Sequence, residues 1–83
     1  MNKQEIADYM KELMAEATGE SKESIDENTN FFKIGISSIN ALKIMNKLRK
    51  HLQVEINPVA MFEYKTIAEM SDYLYNCLEE ENE

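Results

Sequence analysis

Ser38 is the side chain whose neighbours best prepare it for chemistry. It closes the run Phe31-Phe32-Lys33-Ile34-Gly35-Ile36-Ser37-Ser38, and Ile39 follows at once as the first apolar residue of a helical pattern. A serine at a helix start lies outside the packed turns. Unpaired backbone N–H groups and a partial positive charge there suit an anionic phosphoester. Gly35 permits close backbone approach just upstream. The competing use of such a hydroxyl is as a cap that accepts a bond from an orphan N–H of the first turn, and Ser37 or Ser38 can fill that role.

Other chemistries are weaker. His51 cannot act as a base for Ser38 within one helix, because thirteen residues at 1.5 Å rise separate them by about 20 Å and a dyad needs about 3 Å. Aligned on the G-x-S-x-G nucleophile elbow, the segment places Ile39 where the second glycine belongs. Asp26-Glu27-Asn28-Thr29-Asn30 begins like a calcium loop, but Phe31 replaces its glycine and Ser37 its closing glutamate. One cysteine, Cys77, and one histidine supply neither an internal disulfide nor a zinc set. Cys77 reads as a small apolar side chain, and no metal site is expected.

The elements that position Ser38 are helices. Ile6, Tyr9, Met10, Leu13, Met14 and Ala17 share one helical face, and Gly19 can end that helix in a left-handed conformation. A second helix begins at Ile39 and continues through Leu42, Met45, Leu48 and Leu52. Asn57-Pro58 reads as a cap and first helical residue for a short helix over Val59 to Phe62. Thr66-Ile67-Ala68-Glu69 is a capping box opening the last helix, with Ile67, Met70, Leu74, Cys77 and Leu78 on one face. The connection from Ser24 to Ser37 holds Ile25, Phe31, Phe32, Ile34 and Ile36, so it is expected to be pinned on the core. Gln53 to Ile56 is expected to be extended loop, since a lone strand has no partner. The predicted fold is all-α: a small four-helix bundle of three longer helices and one short one.

At 83 residues the chain forms one domain, with an ordered core over about 3–78 and an acidic tail over 79–83. No apolar run is long enough to span a bilayer and no secretory leader is recognisable, so a cytoplasmic protein away from membranes is expected. The net charge of −7 disfavours nucleic acid. Its distribution is uneven: residues 1–30 carry −5, residues 31–51 carry +5 and residues 52–83 carry −7. The basic island either neutralises its acidic surroundings or selects a partner.

The run Phe31 to Ile39 resembles the phosphopantetheine attachment motif of acyl and peptidyl carrier proteins, in which aromatics and a Gly precede a Ser-Leu or Ser-Ile pair opening the second helix. Phe62-Glu63-Tyr64-Lys65-Thr66-Ile67 resembles the family's second landmark, and the likeness covers roughly residues 5 to 78, nearer to polyketide and nonribosomal peptide carriers than to fatty acid ones. The resemblance implies a carrier and not an enzyme. A phosphopantetheinyl transferase, using coenzyme A and a divalent metal, esterifies Ser38 with 4'-phosphopantetheine, and the arm's thiol then holds acyl or aminoacyl groups as thioesters. It also implies acyl- or aminoacyl-loading and downstream biosynthetic enzymes as partners of a monomer. Ile39 and Met61 are expected to contact them through apolar surface, and Lys43 and Lys47 through charge. Two features depart from the family: Ser37 stands where Asp or His is usual, and the second helix is basic. A fatty acid carrier and an unmodified interaction module are the alternatives. The Met1 start and absence of tag residues are expected of a freestanding chain.

Overall fold

The computed structural model describes residues 2–81. Helix α1 spans Lys3–Thr18. Its start is closed reciprocally: Glu5 N donates to Asn2 Oδ1 at 2.8 Å and Asn2 N donates to Glu5 Oε1 at 3.0 Å. Its end falls at Gly19, whose φ of 79° any β-carbon would penalise, and whose N–H bonds Ala15 O at 2.9 Å. The buried face is Ile6, Ala7, Met10, Leu13 and Met14. Helix α4, Ile67–Glu81, packs along α1 and buries Ile67, Met70 and Leu74.

The cap of α4 differs in one bond from the expected box. Thr66 Oγ1 accepts from Glu69 N at 3.1 Å, but Glu69 reaches past the cap to accept from Lys65 N at 3.2 Å. The first-turn donor Glu69 N is still satisfied.

The connection between α1 and the second helix carries two 3-10 turns, Lys22–Ser24 and Phe31–Ile34. It is pinned as expected. Ile25, Phe31 and Ile36 are buried, Phe31 N donates to Lys65 O at 2.8 Å, and Ala68 N donates to Glu27 O at 3.0 Å. The Glu27 carboxylate also takes Lys11 Nζ at 2.7 Å. That hydrogen bond, above other causes, holds the Lys11 ammonium above its ordinary pKa.

Helix α2 spans Ser38–Leu52 and ends at Gln53, a non-glycine residue with φ of 54°. Its buried stripe is Ala41, Ile44, Met45 and Leu48. This stripe is displaced from the expected one, because Ile39 and Leu42 sit one residue off the core-facing period and stay exposed. Helix α3 begins and ends one residue later than expected, Ala60–Glu63. Asn57 and Pro58 form a turn ahead of it, in which Asn57 Oδ1 accepts from Val59 N at 3.1 Å and Asn57 O from Ala60 N at 3.0 Å. Asn57 N itself donates to Tyr73 Oη at 3.0 Å, and Tyr73 stacks on Tyr64 with ring centroids 4.6 Å apart. Burial pushes the Tyr73 hydroxyl above its ordinary pKa, against the lowering effect of that bond from Asn57.

The architecture is the expected all-α bundle, and Gln53 to Ile56 is loop without strand among the described residues. The residues of the predicted acidic tail are helical through Glu81, while 82 and 83, like Met1, lie outside the described residues. Met10, Met14, Met45, Met61 and Met70 are all buried. None of the described helices is long and apolar enough to cross a membrane.

Candidate functional site

The start of α2 is set by a short chain of causes beginning at Phe31. Phe31 is fully buried and anchors the second 3-10 turn, which Gly35 ends at a φ of 99°, a conformation that glycine alone adopts without strain. The N–H of Ile36 then reaches back to Phe31 O at 3.3 Å and its side chain is buried. With both flanks fixed, Ser37 is extended (φ −82°, ψ 166°) and Ser38 becomes the first helical residue.

The two serines therefore part company. Ser37 is the cap: its Oγ accepts from Asn40 N at 3.1 Å and its carbonyl accepts the first helical bond, from Ala41 N at 2.8 Å. Ser38 is exposed, and its hydroxyl makes no hydrogen bond among the described residues. The open choice of cap thus falls to Ser37, and Ser38 is left accessible.

Around Ser38 the surface is apolar and basic. Ile39 is 67% exposed, and Leu42 and Val59 are each 45% exposed. Sequence reasoning missed Leu42 and Val59 because it assigned Leu42 to the core stripe and Val59 to the short helix. The signal for Leu42 was available: Ala41, Ile44, Met45 and Leu48 form a complete helical stripe without it. Lys43 and Lys47 are exposed on the flank of α2 that faces α1, where Lys47 Nζ stands 3.7 Å from Glu16 Oε2. Met61 requires a correction. It is fully buried in the core, so its side chain presents no surface to a partner. On the α3 side, Val59 holds the exposed apolar position instead.

The two landmark segments meet through their aromatics. Phe32 stacks on Phe62 with centroids 5.3 Å apart and an interplanar angle of 19°. His51, far from Ser38 along α2, stacks on Tyr9 of α1 at 4.0 Å.

Residues 8–74 match the family of the phosphopantetheine attachment site. The chain belongs to this family of carrier domains. A relative in Penicillium rubens, N-(5-amino-5-carboxypentanoyl)-L-cysteinyl-D-valine synthase, is 32% identical over 69 residues, which are 83% of this chain and 2% of the synthase. The polyketide synthase PksL of Bacillus subtilis is 24% identical over 70 residues, 84% of this chain and 2% of that protein. The carrier thus spans a very small part of the curated relatives it matches. Among solved structures, a free-standing peptidyl carrier protein from an uncharacterised Acinetobacter baumannii secondary metabolic pathway superposes with a TM-score of 0.85 at 27% identity, covering 90% of this chain and 94% of that one.

The family's cofactor is covalent 4'-phosphopantetheine. The site fits such a group. The first turn of α2 holds no acid to repel a phosphodiester, and its leading N–H groups are of the kind that an anion satisfies. When bound, the arm supplies a thiol that carries acyl groups, while the protein supplies placement and recognition.

Proposed function

We propose that Ser38 is the residue that carries the phosphopantetheine arm, and that the chain serves as a non-catalytic carrier of acyl or aminoacyl thioesters in polyketide or nonribosomal peptide-type biosynthesis. The observation that supports this reading is the division of work between adjacent hydroxyls: Ser37 is consumed as the cap of α2, and Ser38 is exposed without a partner. Ser37 in place of the family's usual Asp or His preserves the cap, so the register of the modified serine is kept.

The partners are a phosphopantetheinyl transferase, an acyl- or aminoacyl-loading enzyme and the enzymes downstream, met one at a time by a cytoplasmic monomer. They dock on the exposed side of α2. Ile39, Leu42 and Val59 provide the apolar centre, and Lys43 and Lys47 provide charge that selects acidic surfaces. Tethering raises the effective concentration of cargo at whichever enzyme is docked.

Intact-mass measurement after coexpression with a broad-specificity transferase tests the assignment. One added arm is expected on the wild type and on Ser37→Ala, and none on Ser38→Ala. A chain that stays unmodified with competent transferases is instead an interaction module. Loading assays with a malonyl transferase and with an adenylation enzyme separate the pathways, since the cognate loader reacts far better.

A further inference from the structure

The turn of α2 carries its lysines away from Ser38. At about 100° per residue, Leu42 lies roughly 40° around the axis from Ser38, whereas Asn40, Lys43 and Lys47 lie roughly 140–200° from it. The basic flank is thus a second face of the helix, turned towards α1.

A cleft of about 260 Å³ lies there, between the second half of α1 and the first half of α2. Leu13 and Ile44, both buried, form its floor together with the exposed Ala17. Asn40, Lys43 and Lys47 follow one another along the α2 wall at steps of three and four, so an amide and two ammonium groups share one edge. These donors are little used within the molecule. The side chains of Asn40 and Lys43 make no hydrogen bond or ion pair among the described residues, and Lys47 has only Glu16 at 3.7 Å, in a pair exposed on both sides.

An apolar floor beside a row of free cationic donors has a definite complement. The occupant must offer carboxylates on the α2 side and an apolar side chain below them. Lys43 and Lys47 are separated by four residues, about 6 Å along the axis, and two glutamates four apart on another helix have the same rise. Contacts of Glu16 with Lys47 and of Tyr9 with His51 show that α1 and α2 run antiparallel, which leaves a straight furrow between them. A third helix fits such a furrow.

We propose that the α1–α2 cleft docks an acidic amphipathic helix of another protein, with two carboxylates on Lys43 and Lys47 and an apolar side chain on the Leu13–Ile44 floor. Glu16 holds the place of one of those carboxylates. An exposed pair of that length is worth little, so a better placed acid displaces it. Because this face lies on the far flank from Ser38, a partner seated in it leaves the serine and the Leu42–Val59 patch uncovered. The cleft is an anchor that can hold the chain while other enzymes reach Ser38, and it goes beyond the carrier reading, since it needs no arm.

The test uses the whole chain and a labelled synthetic peptide, cross-linked to stay helical, with glutamates four apart and leucine on the same face. Two control peptides carry Gln for each Glu, or Ser for Leu. Fluorescence anisotropy should show binding of the first peptide that weakens with added salt, and markedly weaker binding of both controls. In labelled protein the Asn40 side-chain amide and the Leu13 and Ile44 methyls should shift, and the Leu42 and Val59 methyls should stay in place. Lys43→Gln combined with Lys47→Gln, both at exposed positions that folding does not depend on, should weaken binding about tenfold. Glu16→Gln should tighten it about twofold, a gain that general damage to the fold would not produce. Attachment of the arm should leave the affinity unchanged. If the glutamate peptide binds no better than its Gln control, if the double lysine variant binds it equally well, or if the shifts fall at Leu42 and Val59, the inference fails and the carrier reading stands. A chain that binds the peptide in the cleft but never accepts an arm would keep this inference and overturn the carrier reading.

Discussion

Two neighbouring hydroxyls have separate roles because α2 begins between them. Ser37 is still extended and can fold its oxygen over the helix start, whereas Ser38 already has helical backbone and projects outward. Ser37→Ala is accordingly expected to cost about 0.5–2 kcal/mol, the worth of an N-cap, and to be read as a lowered Tm with modification at Ser38 retained. The same residue-scale logic distinguishes Met61 from Val59. Met61→Ala empties space in a closed core and should cost about 2–5 kcal/mol in chemical denaturation, while Val59→Ala should change stability by no more than about 0.5 kcal/mol. A reversed order in those two melts would show that the short helix is packed the other way round.

At the scale of the element, α2 is complemented at one end only. Its last turn holds Arg49, Lys50 and His51 against the negative end of the dipole, but no acid occupies its first turn. A phosphodiester on Ser38, the attachment proposed above, would supply that missing charge. The modified chain should be more stable than the unmodified one by about 0.3–1 kcal/mol, seen as a Tm gain of a few degrees that shrinks with added salt. The loop before α3 depends on a different interaction, the bond from Asn57 N to Tyr73 Oη. Because burial raises the Tyr73 pKa, the fold favours its protonated form. Its contribution is whole below the ordinary value near 10 and is lost as pH rises through the folded value. Lys11, also raised, loses its contribution in the same direction at alkaline pH. Unfolding free energy should therefore fall above about pH 10. Tyr73→Phe should lower stability at neutral pH and flatten that alkaline slope without abolishing it, as followed by denaturant titration across pH.

For the whole molecule the governing feature is the segregation of charge. The segment 31–51 carries +5 in a chain of −7, and the bundle displays much of that charge on α2 beside Ser38. The exposed Lys47–Glu16 pair at 3.7 Å contributes little to stability in water, so charge reversal there reports on partners more than on folding. Lys43→Glu combined with Lys47→Glu should slow productive encounter with the cognate loading enzyme and reverse its salt dependence, measured as kcat/KM against ionic strength. Unchanged kinetics at every salt concentration would remove these lysines from the docking surface.

Helix count and order, the end of α1 at Gly19 and the opening of α4 at Thr66 could all be read from residue order, because periodicity and caps are local properties of a chain. The serine at a helix start was equally readable. Which serine caps α2 was not, since that depends on Phe31 and Ile36 being held against residues distant in sequence, as the bond from Phe31 N to Lys65 O shows. Nor could local pattern tell that Met61 faces inward while Val59 faces water: a short helix after Pro58 has too few turns to define its own face, and only the packing of α2 against α3 decides it. The groove that Leu42 and Met45 of α2 form with Ile56 and Pro58 belongs to the same class of fact, formed by two segments that approach each other only once the bundle has closed.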